Sequence, residues 1–233
     1  MNAPMSEQYR PYVMVRRTEE APGVSTFFLR PASGEGPQFA AGQFVNISLP
    51  GHTEAKSYTI SSAPQDKEFA VTIRAAGKFS TALLAHQAGD RLSLSEPLGY
   101  FCADEAAAPR LWLAGGIGVT PFMSMLRDSS AARPRTLLYY SNRTFSDAVF
   151  KEELQQLPIA DPRFEVRHFI TREPPPDGII RGRIAEADLR SALQKLPNCQ
   201  VYMCGSIGFV RDYWSLLKKL GVPEERLFTE AFF

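Results

Sequence analysis

Apolar positions along the chain follow two regimes. Up to about residue 100 they come as short runs of strand character. The runs are Tyr12-Val13-Met14-Val15, Thr26-Phe27-Phe28-Leu29, the partly alternating Phe44 to Leu49, Ser57-Tyr58-Thr59-Ile60, Phe69 to Ile73, and the cleanly alternating Arg91 to Ser95. Pro22-Gly23, Pro50-Gly51, Ala63-Pro64 and Pro97 punctuate them, and only Phe79 to Gln87 has helical spacing. About six short strands with turn signals and one small helix predict an antiparallel β-barrel. Beyond the Asp104–Pro109 segment the pattern changes. Apolar strands at 111–113, 136–140, 164–170 and 201–203 each precede a stretch with helical apolar spacing, and Arg226 to Phe233 closes as an extended piece. Serial strand–helix units predict a parallel sheet covered on both faces. The expected division is therefore 1–103 and 104–233, with the boundary near residues 102–109.

The most informative stretch joins these regimes. Leu111-Trp112-Leu113 runs into Gly115, Gly116 and Gly118, then Thr120-Pro121, then Phe122, Met125 and Leu126 at helical spacing. A strand ends in a glycine turn that opens a helix, with Thr120 predicted as N-cap and Pro121 as first helical residue. Free N–H groups and the helix dipole at such a start favour a phosphate. The pattern also fits a tight strand-to-helix turn with no ligand, and it is not G-x-G-x-x-G.

Composition removes several classes of function. The net charge of +1 with scattered basic pairs argues against nucleic acid. The uncharged run Leu111–Leu126 is shorter than the ~18 residues of a membrane span and is broken by Gly and Pro. Met1–Ser6 shows no apolar targeting core, so the cytoplasm is expected. Cys102, Cys199 and Cys204 form neither a disulfide framework nor a cluster-binding run, and His52, His86 and His168 lack metal-ligand spacing. No metal site is expected, and no serine-hydrolase elbow is present.

Lys56-Ser57-Tyr58-Thr59, Gly77 to Thr81, Pro97 to Phe101, Gly115 to Pro121, Cys204-Gly205 and Glu230-Ala231-Phe232 follow one another along the chain, and together they resemble the flavin reductase module of the ferredoxin–NADP⁺ reductase superfamily, particularly its oxygenase-reductase and flavohaemoglobin-reductase branch. Lys56-Ser57-Tyr58-Thr59 resembles Arg-x-Tyr-Ser/Thr, with Lys in place of Arg. The resemblance implies that Lys56 contacts a flavin phosphate, Tyr58 the flavin ring or ribityl, and Thr59 the flavin near N5. Gly77-Lys78-Phe79-Ser80-Thr81 resembles the Gly-x-x-Ser helix start that meets the flavin pyrophosphate, with Ser80 the expected N-cap. Pro97-Leu98-Gly99-Tyr100-Phe101 resembles a flavin-side loop. Gly115 to Pro121 resembles Gly-Gly-x-Gly-x-Thr-Pro, which holds the pyrophosphate of a nicotinamide dinucleotide. Asn142-Arg143 follows the next strand, where the adenine ribose would lie. Arg143 suits a 2′-phosphate, the ribose or the pyrophosphate, and similar Asn-Arg-Thr stretches include NADH users. Cys204-Gly205 resembles the motif beside nicotinamide C4, with Ser206 in place of the usual Pro. Glu230-Ala231-Phe232 resembles the closing Glu-x-Phe, with Glu230 near the nicotinamide and an aromatic, Phe232 or the adjacent Phe233, over the flavin.

The resemblance implies a two-domain enzyme: a Greek-key barrel holding FAD and an α/β domain taking NADH or NADPH. Hydride would pass to flavin N5, with Thr59, Cys204 and Glu230 around the reacting atoms. Electrons would then go to a separate one-electron carrier, a ferredoxin-type protein or an oxygenase component. The alternatives are a free-flavin reductase and a flavin-holding subunit without turnover. A pyrophosphate-type helix start favours bound FAD, and Cys204 with Glu230 favours turnover.

Overall fold

The computed structural model describes residues 9–50, 52–102, 108–129 and 134–232. The chain divides into two compact units, Met1–Ala103 with Met123–Asp128, and Asp104–Phe122 with Ser129–Phe233.

The first unit is an antiparallel six-stranded sheet: β1 (Arg10–Ala21), β2 (Val24–Pro31), β3 (Phe44–Ser48), β4 (Lys56–Thr59), β5 (Phe69–Arg74) and β6 (Arg91–Leu94). The order β4-β3-β6-β1-β2-β5 brings β6 back between β3 and β1, a Greek-key return. An antiparallel bridge between Ile60 and Val71 joins the two edges and closes the barrel. Period-two alternation sends Tyr12, Met14, Phe27, Leu29, Val45, Ile47, Val71, Ile73, Leu92 and Leu94 into one core. Each such side chain contributes roughly 1.5–3 kcal/mol when fully buried. Helix α1 (Lys78–Leu84) adds Phe79 and Leu83 to that core. It is shorter than the stretch predicted to run to Gln87.

The outer face of the barrel over β2, β5 and the end of β4 is polar yet buried. Thr26 and Thr72 hydroxyls are 2.9 Å apart, and Thr72 Oγ1 donates to Ser61 Oγ at 2.9 Å. The segment Met123–Asp128 packs with this unit. Ser124 Oγ donates to the Ser62 carbonyl at 2.6 Å and Arg127 Nη1 to the Ser61 carbonyl at 2.7 Å.

The second unit is a six-stranded parallel sheet in the order β10-β9-β8-β7-β11-β12. Its strands are β7 (Arg110–Gly115), β8 (Thr136–Asn142), β9 (Phe164–Ile170), β10 (Ile180–Arg181), β11 (Gln200–Ser206) and β12 (Leu227–Phe232). Helices α2 (Thr120–Arg127), α3 (Lys151–Ala160), α4 (Glu186–Lys195) and α5 (Ile207–Lys219) connect them. Leu111, Leu113, Leu137, Val201 and Met203 share a core with Leu189 and Ala192 of α4 and Tyr213 and Leu217 of α5. On the other face Trp112 stacks on Phe122 of α2, with centroids 4.9 Å apart. The strand order reverses at β7, between β8 and β11, and ligands of open α/β sheets bind at the carboxyl ends beside such a point.

Two cap assignments differ from expectation. Thr120 is not an N-cap: a 3₁₀ turn over Gly116–Val119 precedes it, so Thr120 is already helical and its hydroxyl donates to the Ile117 carbonyl at 3.0 Å. Ser80 is likewise inside α1, because Gly77 holds the cap position. Its hydroxyl reaches back to accept from the N–H groups of Ala76 and Gly77 at 2.8 and 3.0 Å. In both cases the helix begins earlier than apolar spacing alone indicates.

Candidate functional site

On the barrel, the site is built by β4, β5 and the start of α1. Tyr58 packs against the core, its ring stacked over Phe79 at 6.4 Å, and His52 meets the same Phe79 edge-on at 5.0 Å. Burial pushes the Tyr58 phenol up to about 12, so it stays protonated and able to donate. Thr59 is 5% exposed and its Oγ1 has no hydrogen-bond partner among the described residues. Ser57 donates to Asn46 Oδ1 at 2.7 Å. Lys56 is exposed and its Nζ lies 2.8 Å from Glu54 Oε2.

Sequence reasoning passed over Arg74, at the end of β5. Its Nε and Nη2 are buried and have no hydrogen-bond partner among the described residues. A strand-end arginine reads as a solvated side chain, and only the structure reveals that its donors are buried. Unmatched buried donors at Thr59 and Arg74 are costly unless an acceptor meets them. A flavin nucleotide carries carbonyl, ring-nitrogen and phosphate acceptors, so this donor set fits FAD.

On the parallel sheet, the site lies at the carboxyl ends of β7 and β11. A Cβ on Gly118 would come 2.3 Å from the Cys204 carbonyl oxygen and 2.7 Å from Gly205 N. The glycine turn therefore packs backbone to backbone against the end of β11, and only Gly fits. A Cβ on Gly115 or on Gly205 would lie 3.0 Å from the Phe209 ring, which sits against both strand ends. Gly116 takes φ 55°, a turn that Gly adopts without strain. Ser206 Oγ accepts from Phe209 N at 3.3 Å and N-caps α5, a task for which the usual Pro has no side-chain acceptor.

Parallel pairing sets Cys204 opposite Glu230 and Ser206 opposite Phe232. Burial drives the Cys204 thiol well above its ordinary value, and the neighbouring Glu230 charge adds to that. Burial also raises the Glu230 carboxyl. The pair thus offers a neutral thiol and a carboxyl that retains its proton more readily than a surface glutamate. Phe232 is half-buried, and Phe233 lies outside the described residues.

At the end of β8, Asn142 is 5% exposed and neither its Oδ1 nor its Nδ2 has a partner among the described residues. Arg143 is exposed, and its carbonyl accepts from Arg172 N at 2.8 Å. A glycine cradle beside an unpaired amide suits a dinucleotide with phosphates and ribose hydroxyls. His168 pairs in register with Tyr140, and its ring centroid lies 5.9 Å from that of Phe145. Both of its ring nitrogens lack partners among the described residues, and burial lowers it to about 4.

Residues 112–214 match the family model for the oxidoreductase NAD-binding domain. With a closed antiparallel barrel before it and the motifs above in order, the chain is similar to the flavin reductase modules of the ferredoxin–NADP⁺ reductase superfamily. Its relatives include a flavohaemoprotein of Deinococcus radiodurans, 27% identical over 96% of this chain and 59% of that protein. The reductase component of propane 2-monooxygenase from Rhodococcus jostii is 29% identical over 88% of this chain and 58% of that protein. Among solved structures, the flavohaem-like FAD/NAD-binding domain of nitric oxide dioxygenase from Vibrio cholerae shares the fold. Its TM-score is 0.85 at 24% identity, covering 96% of this chain and 98% of that one. The chain thus spans 59% of the length of the flavohaemoprotein it matches. No helix among the described residues is long and apolar enough to cross a membrane.

Proposed function

We propose that the chain is an NAD(P)H-dependent flavin oxidoreductase serving a separate one-electron acceptor, a ferredoxin-type protein or an oxygenase component. FAD held by the barrel would supply the redox chemistry, two-electron uptake as hydride and release of electrons one at a time. The observation that carries this reading is that each of the two units has binding features of its own. One has buried donors at Thr59 and Arg74 without acceptors, and the other has a glycine cradle beside Cys204 and Glu230.

Thr59 Oγ1, buried without a partner among the described residues, would donate to an acceptor on the flavin ring. Tyr58 and Phe79 wall the ring, and Gly77, Ser80 and Thr81 set the helix start that borders it. Gly115, Gly116 and Gly118, with Thr120 and Pro121 opening α2, hold the dinucleotide's phosphates on bare backbone. Asn142 and Arg143 receive its ribose. Gly205 lets the nicotinamide approach the Cys204 thiol, which remains neutral and does not compete as a nucleophile. Glu230 would hydrogen-bond the carboxamide, and Phe232 would offer an aromatic ring for stacking. The relative named as a monooxygenase reductase component supports a separate protein acceptor.

Reconstituted with FAD, the purified chain should retain about one flavin and reduce one-electron dyes with NADH or NADPH. Acid release and chromatography of the flavin, with a dye-reduction assay, check this. A protein that retains only FMN, or reduces dyes only with free flavin in excess, would leave the free-flavin reductase reading in its place.

A further inference from the structure

Lys56 stands where a phosphate-binding arginine is expected, yet its ammonium is already engaged. It pairs with Glu54 at 2.8 Å, and its side chain is 52% exposed. Exposed as it is, the ammonium stays solvated and offers a phosphate only a screened, single-point contact. Arg74 presents the reverse case. Its Nε and Nη2 are buried and have no hydrogen-bond partner among the described residues. These lie along one edge of the guanidinium, the edge that grips a two-oxygen anion side-on with parallel hydrogen bonds. The chain uses that edge elsewhere. Arg163 Nε and Nη2 reach the two oxygens of Asp161 at 3.0 and 3.2 Å. Arg190 Nε and Nη2 converge on a single oxygen, Glu186 Oε1, at 3.0 and 2.7 Å.

The strand pairing says where the open edge lies. Val71 and Ile73 point into the barrel core, so Thr72 and Arg74 point outward. Counting out from the Ile60–Val71 bridge brings Thr72 level with Thr59 and Arg74 level with Ser57. Arg74 is therefore two residues along the same outer face from Thr59, whose hydroxyl also lacks an acceptor. The turn into α1 at Gly77 follows three residues later.

We infer that Arg74, rather than Lys56, is the cation that binds the flavin's diphosphate, holding two phosphate oxygens through Nε and Nη2. This rests on the reading that FAD occupies the barrel. The test compares binding of FAD and of riboflavin, which has no phosphate, to the flavin-stripped full chain by fluorescence quenching. Wild type, Arg74→Gln, Arg74→Lys and Lys56→Gln are compared, and circular dichroism checks that each is folded. Arg74→Gln should weaken FAD by ~10- to 100-fold, the scale of a charge-assisted pair, and leave riboflavin within about 2-fold. Lys56→Gln should stay within about 3-fold for both flavins. If Arg74→Gln does not fold, Arg74→Lys carries the test, since it keeps the charge and loses the side-on pair: an FAD-specific weakening is expected. The assignment is overturned if FAD affinity is unchanged at Arg74. It is equally overturned if both flavins weaken alike, which means a ring contact, or if Lys56→Gln costs as much as Arg74→Gln. Wild type binding neither flavin would instead bring down the FAD reading itself.

Discussion

His168 shows how a single residue ties burial to pH. Its imidazole is buried against Tyr140 and Phe145 and titrates at about 4, against an ordinary value of 6.5. The folded state therefore resists the proton that the unfolded chain accepts. The stability that the neutral ring contributes is complete above pH 6.5 and is lost as pH falls from there to about 4, where the loss is roughly 3 kcal/mol. Replacing the ring by Gln removes this titration. Urea unfolding at pH 7.5, 5.5 and 4.5 should show a steeper loss for wild type than for His168→Gln. Parallel slopes for the two proteins would mean that the ring is solvated. Cys204 yields a second expectation at this scale. Held as a thiol by burial, it should react with iodoacetamide in the folded protein far more slowly than Cys102, which is only partly buried. Equal labelling rates, read by mass spectrometry of the peptides, would contradict that.

At the scale of elements, the ends of β7 and β11 decide the site. Gly118→Ala puts a Cβ 2.3 Å from the Cys204 carbonyl and must push the glycine turn off the strand. The expected cost is about 1–3 kcal/mol, together with loss of NADH affinity. Gly208, in the first turn of α5, has open space around it. Gly208→Ala should leave NADH binding unchanged and raise stability by up to ~1 kcal/mol. Thermal melts and nucleotide titration of both variants check the pair. A Gly118→Ala protein that melts and binds like wild type would show that the backbone contact is dispensable. Most elements were legible because each barrel strand is a compact apolar run between Gly and Pro punctuation, and each later strand precedes a 3.6-period stretch. The two-residue β10 was too short to carry a pattern. Thr120 and Ser80 misled because a cap residue and a first-turn residue bonding backwards look alike in sequence.

Across the whole molecule, both architectural halves were legible, since the period of the apolar pattern changes from two to 3.6 between them. The candidate site was legible only where glycine or a motif marks it, as at Gly115–Pro121 and Cys204-Gly205. Arg74 and His168 were not, because an arginine or histidine at a strand end carries no sequence sign of which way its side chain is buried. We propose that the chain moves a hydride from a nicotinamide to its own bound flavin. Anaerobic titration of the FAD-loaded protein with NADH and with NADPH, followed by visible absorption, tests it most directly. At least one of the two should bleach the flavin band at about one nicotinamide per FAD, and a one-electron acceptor should restore the band. A protein whose flavin is bleached by dithionite, but by neither nicotinamide, would contradict the account.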